Sequence, residues 1–374
     1  MSLIDMRTSD GSDPLLIVAA GGTGGHVFPA QALAEEMLKR GWRIELWTDH
    51  RGRRFSREFP PAARIRMVTS AGLHRGRRLA QLIAPWMMAV GIVSAWTGMY
   101  RLRPSAVVGF GGYPAFPPLA AAWLRRIPRL IHEQNSVLGK ANLVLSRHVN
   151  LVACGSVSTT LPAGVRSVTV GNPVRETVLA FANSLYSWPD SGRIEVLVLG
   201  GSQGAQVLDR TVQSAVLQLP DSIRRNLHIV QQVRSGRKEE VVRIYQEAGV
   251  QCEIADFFSD APRRMARAHL VIARAGASTV AELAVIGRPA ILIPFAAAAN
   301  DHQTANAEAL ANCGAAIALP ETDASAETLM REMMLLMENP RQAESMAHAA
   351  LKAAQPKSAE HLADLVEDIA SDPA

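Results

Sequence analysis

The chain has 374 residues, is 48% hydrophobic but only 5% aromatic, and carries a formal charge of +5. That length exceeds one ordinary core and fits two domains of roughly 150–200 residues each. The mild basic excess suits an acidic ligand or an anionic membrane surface, while the absence of any DNA or RNA module signature sets nucleic acid aside.

The N-terminal MSLIDMRTSDGSDP contains acidic residues and no apolar core, which argues against a secretory signal. An apolar strand over 15–20 then runs into the glycine turn GGTGGH (Gly21 to His26), followed by a helix over 28–40 that Gly41 closes as a C-cap. Strands are expected at 43–48 and 64–69. From Leu79 to Tyr100 no residue is charged, and Arg75, Arg77, Arg78, Arg101 and Arg103 flank the stretch. Its length permits a membrane span, but Pro85, Gly91 and Gly98 interrupt it and the basic residues lie at both ends. A buried helix with an apolar edge and a surface-lying membrane element are the other readings. The basic cluster beside Leu79, Leu82, Ile83 and Trp86 points to contact with anionic lipid.

A strand at 105–110 leads into GFGGYPAFPP, a helix at 114–126, a strand at 128–132 ending in HEQN (His132 to Asn135), a helix at 137–147 and a strand at 150–154. The segment 171–192 reads as the linker. The second half repeats the rhythm, with strands near 194–200, 226–231, 251–255, 269–273, 289–293 and 314–319. Helices are expected near 204–218, 236–248, 277–286, 302–312 and 323–337, with a last one near 357–371. Strand–helix alternation of this kind means parallel sheets with right-handed crossovers. The second strand–turn unit carries GGSQGA (Gly200 to Ala205). A glycine turn at a helix N-terminus aims backbone N–H groups and the positive end of the helix dipole at an anion.

Dinucleotide binding requires GxGxxG with an acidic residue about 20 positions later. Asp49 ends the next strand, but Val27 stands where the third glycine belongs, and GGSQGA also lacks the spacing. No Walker sequence is present. His26 is either a general base at a helix N-terminus or a capping histidine. The HEQN run offers donors and acceptors at a strand's carboxyl end, suited to a sugar or peptide or else simply solvated. Arg175 of GNPVR is either a planar fork for diphosphate oxygens or a linker arginine. In ARAGASTVAE, Glu282 either accepts ribose hydroxyls or stabilises its helix. Asp301, His302, Gln303 and Asn306 suit sugar hydroxyls. The cysteines Cys154, Cys252 and Cys313 form no CxxC or Cys/His pattern, so reduced thiols are expected rather than a disulfide frame. No HExxH or DxD pattern suggests a metal.

Taken in this order, GGTGGH, GFGGYP, HEQN, GNPVR, GGSQGA, RAGASTVAE and PF…DHQTANA resemble the MurG family over about residues 15–310. These are the undecaprenyldiphospho-muramoylpentapeptide N-acetylglucosaminyltransferases of bacterial peptidoglycan synthesis. The resemblance implies an α/β protein of the GT-B type, two Rossmann-like doubly wound parallel-sheet domains facing a cleft. The acceptor- and membrane-facing domain would span 13–175, with the helix at 357–371 available to pack on it, and the UDP-GlcNAc domain 176–352. It implies a hexosyltransferase moving GlcNAc with inversion from UDP-GlcNAc to the C4 hydroxyl of undecaprenyl-diphospho-MurNAc-pentapeptide, without cofactor or metal. The expected location is the cytoplasmic face of the inner membrane, peripherally bound, in cell wall biogenesis, cell shape, cell division and the cell cycle. Expected partners are the two substrates, anionic lipid and other cell-wall synthesis proteins.

By position, the resemblance places UDP-GlcNAc against Thr23, Gly24, Gly25, Asn135, Arg175, Ser202, Phe258, the run Ala277, Ser278, Thr279, Val280, Ala281 and Glu282, and Gln303. His26 or Glu133 would take the acceptor proton. Arg75, Arg77, Arg78, Leu79, Leu82, Ile83 and Trp86 would meet the membrane. A different GT-B sugar-nucleotide enzyme, such as an epimerase, and a non-catalytic nucleotide-binding module are the alternatives.

Overall fold

The computed structural model describes residues 13–52, 58–70, 78–189, 192–201, 205–298 and 301–371, the side chains at 78–83 excepted. The chain divides into two compact units, one of Met1–Glu176 with Lys357–Ala374 and one of Thr177–Pro356.

In the first unit the elements are β1 (Leu15–Ala19), α1 (Gly24–Lys39), β2 (Arg43–Thr48), β3 (Arg64–Met67), α2 (Arg78–Leu102), β4 (Ala106–Gly109), α3 (Phe116–Leu124), β5 (Arg129–Glu133), α4 (Lys140–Leu145), β6 (Leu151–Cys154) and β7 (Ser167–Thr169). Helix α5 (Glu176–Leu179) lies at the junction. The strands form one sheet in the order β3-β2-β1-β4-β5-β6-β7, with every pairing parallel. Alternate side chains of a strand face opposite ways. Leu16 and Val18 therefore enter one core with α1, while Ile17 enters another with Trp47, Val107 and Leu119.

Helix α14 (Ser358–Ser371) completes the first of these cores through Leu362, Ala363 and Val366. Arg40 binds it from α1 at 2.7 Å to Asp364 and 2.9 Å to Glu367, and the indole N–H of Trp42 donates to Glu367 at 3.2 Å. The last helix of the chain thus belongs to the unit that contains the first strand.

The second unit contains β8 (Ile194–Leu199), α6 (Gln206–Gln218), α7 (Asp221–Arg224), β9 (Leu227–Gln232), α8 (Lys238–Glu247), β10 (Gln251–Ala255), α9 (Ala261–Arg267), β11 (Leu270–Ala273), α10 (Ala277–Ile286), β12 (Ala290–Leu292), α11 (His302–Asn312), β13 (Ala316–Ala318), α12 (Ala326–Glu338) and α13 (Pro340–Ala353). Its sheet order is β10-β9-β8-β11-β12-β13, again parallel throughout. Both sheets reverse direction beside their first strand, the doubly wound pattern in which ligands bind at the strands' carboxyl ends.

Several elements depart from the sequence reading. Helix α1 begins at Gly24 rather than 28, so the glycine turn is itself the helix start. Helix α13 is absent from that reading, although Pro340 sits at its first turn, where a missing N–H costs nothing. It packs through Leu351 against Gly287, whose φ of 76° ends α10. The structure adds helix α9 and the exposed edge strand β7 to the expected elements. The segment 171–192 is not a free linker. Gly171 and Asn172 are bonded into the first unit, whereas the Arg288 guanidinium donates to the carbonyls of Ser184 and Leu185 in the second.

Candidate functional site

Four of the singled-out motifs converge in the first unit. Gly21 and Gly22 turn the chain at the end of β1, with Gly22 at φ 86°, where only glycine sits without strain. Asp49 holds this turn, accepting from the N–H of Gly22 at 3.3 Å and of Gly52 at 2.8 Å. Burial alone would raise its pKa, but these N–H groups and Arg51 keep the carboxyl below the usual range. Asp49 therefore braces the glycine turn from behind.

Thr23 caps α1 in extended conformation, and Gly25 is exposed at the helix start. The first N–H groups of any helix lack intrahelical acceptors. His26 is half-buried, with Nδ1 3.2 Å from the Gly21 carbonyl. A carbonyl only accepts, so Nδ1 carries the hydrogen and Nε2 is the basic nitrogen. The GFGGYP turn closes on this ring. Gly111 and Gly112 take φ of 88° and 74°, and a Cβ on Gly111 would lie 3.4 Å from His26 Nε2. Any larger residue would press on the imidazole.

HEQN organises the floor of this site. The Glu133 side chain is 2% exposed and accepts four hydrogen bonds. Oε1 receives the N–H and side-chain amide of Asn135 at 3.2 and 3.1 Å. Oε2 receives the N–H of Gly139 at 2.9 Å and the Asn142 amide at 2.8 Å. Its lone pairs are spent on the loop that presents Asn135. Glu133, read from the sequence as an alternative base, thus holds the loop that carries Asn135, Gly139 and Asn142. Asn142 escaped the sequence reading because nothing about an asparagine inside a short helix marks it.

His132 is fully buried. Its Nε2 donates to the Gly171 carbonyl at 2.9 Å, and its Nδ1 accepts from the Gln134 amide at 3.1 Å. Burial is the main cause that holds its pKa down at about 4, so the ring is neutral. With Asn172 donating to the Gln134 carbonyl at 3.1 Å, it locks HEQN to GNPVR. Arg175 of that motif is 7% exposed, with its guanidinium 3.8 Å from the Phe28 ring and 3.4 Å from Glu58. A Cβ on Gly24 would also meet Phe28, at 2.9 Å, so Arg175 lies one ring away from the first glycine turn.

In the second unit, β8 ends at Gly200 and Gly201, the latter at φ 80°; Ser202 lies outside the described residues. The Gln232 amide donates to the carbonyls of Gly201 and Asp256 at 3.2 and 3.1 Å, tying this turn to the loop before α9. In that loop Phe258 is turned inward under Arg264, 4.3 Å from the guanidinium, while its neighbour Phe257 is half exposed.

Helix α10 starts from Gly276, with Ala277 buried and Ser278, Thr279, Val280, Ala281 and Glu282 half-buried along its first two turns. Gln303, on the first turn of α11, accepts from the Phe295 N–H at 3.0 Å through Oε1, which leaves its amide N–H₂ for a ligand. Asn306 is 8% exposed and donates to the Ala275 carbonyl at 3.1 Å, so it braces the loop before α10. Among the described residues no cluster of His, Cys, Asp or Glu is arranged to hold a metal ion.

Of the expected membrane residues, Arg75 and Arg77 lie outside the described residues, and at Arg78, Leu79, Leu82 and Ile83 only the helical backbone is described. Trp86 is 73% exposed, and Val90, Val93 and Tyr100 continue the same exposed face of α2 at helical spacing. Among the described residues no helix is long and apolar enough to cross a membrane.

Residues 16–154 match the glycosyltransferase family 28 N-terminal domain and 195–363 the family's C-terminal domain. A protein of Mesorhizobium japonicum is 45% identical over 360 residues, covering 96% of each chain, and one of Caulobacter vibrioides is 44% identical, covering 95% of this chain and 99% of its own. Both are named UDP-N-acetylglucosamine–N-acetylmuramyl-(pentapeptide) pyrophosphoryl-undecaprenol N-acetylglucosamine transferase. The crystal structure of Acinetobacter baumannii MurG is 32% identical with a TM-score of 0.74, covering 95% of this chain and 99% of that one. A UDP-GlcNAc 2-epimerase of Neisseria meningitidis shares the fold alone, at 12% identity and TM-score 0.64. Matched over both of its domains, and related along nearly its whole length to the MurG transferases, this chain belongs to glycosyltransferase family 28 and, within it, to the MurG family.

Proposed function

We propose that this protein transfers GlcNAc from UDP-GlcNAc to the C4 hydroxyl of undecaprenyl-diphospho-MurNAc-pentapeptide, with inversion at the anomeric carbon. The observation that carries the chemistry is His26, whose basic nitrogen is fixed by the Nδ1–H bond to Gly21 and enclosed by the GFGGYP turn. As the acceptor oxygen bonds to the anomeric carbon, His26 Nε2 takes its proton. The bond to the UDP oxygen breaks and its electron pair leaves on the diphosphate. Oriented N–H groups at a helix start stabilise such charge without reorganising.

In this reading the second unit holds the donor. Glu282 accepts the ribose hydroxyls, the N-terminus of α10 and Ser202 face the nucleotide, the Phe258 backbone lies beside uracil, and the amide of Gln303 binds GlcNAc. Thr23, Gly24, Gly25 and Asn135 contact the transferred sugar, and Arg175 the diphosphate. No metal takes part. The exposed apolar face of α2 with the basic residues before it rests on anionic lipid at the cytoplasmic side of the inner membrane, where the lipid-linked acceptor resides.

Incubation with labelled UDP-GlcNAc and the lipid-linked muramyl acceptor tests the reading. Label in the lipid fraction with release of UDP supports it. UDP release without labelled lipid points to an epimerase, and UDP binding without turnover points to a non-catalytic module.

A further inference from the structure

Glu321 lies beyond every motif that marks the donor site, in the loop after β13. Its side chain is nonetheless 14% exposed and its two oxygens serve two different loops. Oε1 accepts from the Arg274 guanidinium at 2.6 Å, and Arg274 is the residue that opens the loop between β11 and α10. Oε2 accepts from the N–H of Ala296 at 2.9 Å, in the loop between β12 and α11. Arg274 is itself 6% exposed and donates in addition to the carbonyls of Ile293 and Pro294, both at 3.1 Å, with Phe295 under its guanidinium at 5.4 Å. One loop leads into Ala277–Glu282 and the other into Gln303.

We propose that Glu321 is a positioning residue for donor binding: it pins these two loops to each other so that Glu282 and Gln303 are already placed when UDP-GlcNAc arrives. The proposal rests on the reading of the second unit as the donor site. Charge-assisted bonds to a buried guanidinium are about twice as strong as neutral ones, and this one carboxylate accepts from both loops at once. An amide at this position supports one of the two bonds and turns N–H₂ toward the other donor. Loops that must then be ordered by the ligand lower its affinity. A loss felt equally by ground state and transition state raises KM and leaves kcat.

The test is steady-state kinetics and UDP titration calorimetry on Glu321→Gln and Glu321→Asp in the full chain. Asp keeps the charge for Arg274 but is one methylene too short to reach Ala296 as well, and it serves as the milder variant should Gln fold poorly. The expected result is a KM for UDP-GlcNAc raised about 10-fold in Gln and less in Asp, kcat within about 3-fold, and the KM of the lipid acceptor unchanged. A lowered melting temperature with unchanged KM for UDP-GlcNAc marks Glu321 as structural only and overturns the proposal. If UDP does not bind the unmodified protein, the donor reading itself fails and the proposal with it. UDP binding that is equal in all three proteins refutes the proposal alone.

Discussion

Replacing Glu133 with Gln separates a positioning role from a base. The two side chains have nearly the same shape, but the carboxylate faces two donors at each oxygen. Gln offers one oxygen. It will turn that oxygen toward Gly139 and the buried Asn142, because Asn135 is half exposed and water can replace part of what it loses there. The amide N–H₂ then faces the N–H and amide of Asn135, donor against donor. A buried donor left without its acceptor costs about 1–3 kcal/mol, and two of them with partial access to water cost about 2–3 kcal/mol in total. In a unit of this size that corresponds to a fall of roughly 5–10 °C in melting temperature. Scanning calorimetry on the full chain reads this directly, alongside kcat and KM. Turnover reduced more than 100-fold with an unchanged melting temperature would refute the argument, since it would make Glu133 a base on a loop it does not hold.

His26→Ala should lower kcat by about 10²- to 10⁴-fold, the span of general base catalysis, while KM for UDP-GlcNAc stays within a factor of two or three; unchanged turnover removes His26 as the base. His132 sets a pH limit on the first unit. Its folded pKa of about 4 lies below the unfolded value of 6.5, so only the unfolded chain gains this proton between those values. Stability is complete above about pH 6.5 and falls toward pH 4, by about 3 kcal/mol in all. Denaturant midpoints across this range should show the slope, and His132→Leu should remove that part of it. On α2, a Cβ at Gly91 would lie 2.2 Å from the Thr69 carbonyl oxygen. Gly91→Ala must lift the helix from the strand side, with a cost of about 1–3 kcal/mol; an unaltered unfolding midpoint contradicts the close approach. Trp86→Glu should reduce sedimentation with anionic vesicles and leave turnover of a short-chain soluble acceptor intact, and equal sedimentation argues against α2 as the lipid-facing element.

Helices, strands and glycine turns were legible because their signals are local. The apolar run Leu15–Ala19 marks a strand covered on both faces and the glycines after it mark a turn, and the structure bears out both, with all five residues buried and Gly22 at positive φ. Elements with a weak apolar stripe are harder to read. Helix α13 is short on large apolar residues and buries Ala343, Ala347 and Ala350 beside Met346, a weak stripe to read by eye. Asp49 stands where a dinucleotide fold carries its ribose-binding acid, the glycine spacing already argues against that fold, and only the bonds to Gly22 and Gly52 reveal that it holds the turn.

What the sequence by itself determined is the pair of parallel doubly wound sheets, the glycine turns that open them and the family those motifs spell out. The tertiary structure decided what each polar side chain does. Glu133 spans only nine residues to reach Asn142, but His132 reaches 39 residues to Gly171 and Arg274 reaches 47 to Glu321. The partners of a buried polar group are set by strand order and register, which bring distant loops to one end of a sheet. A pattern of neighbours along the chain records the strand but not who stands across from it.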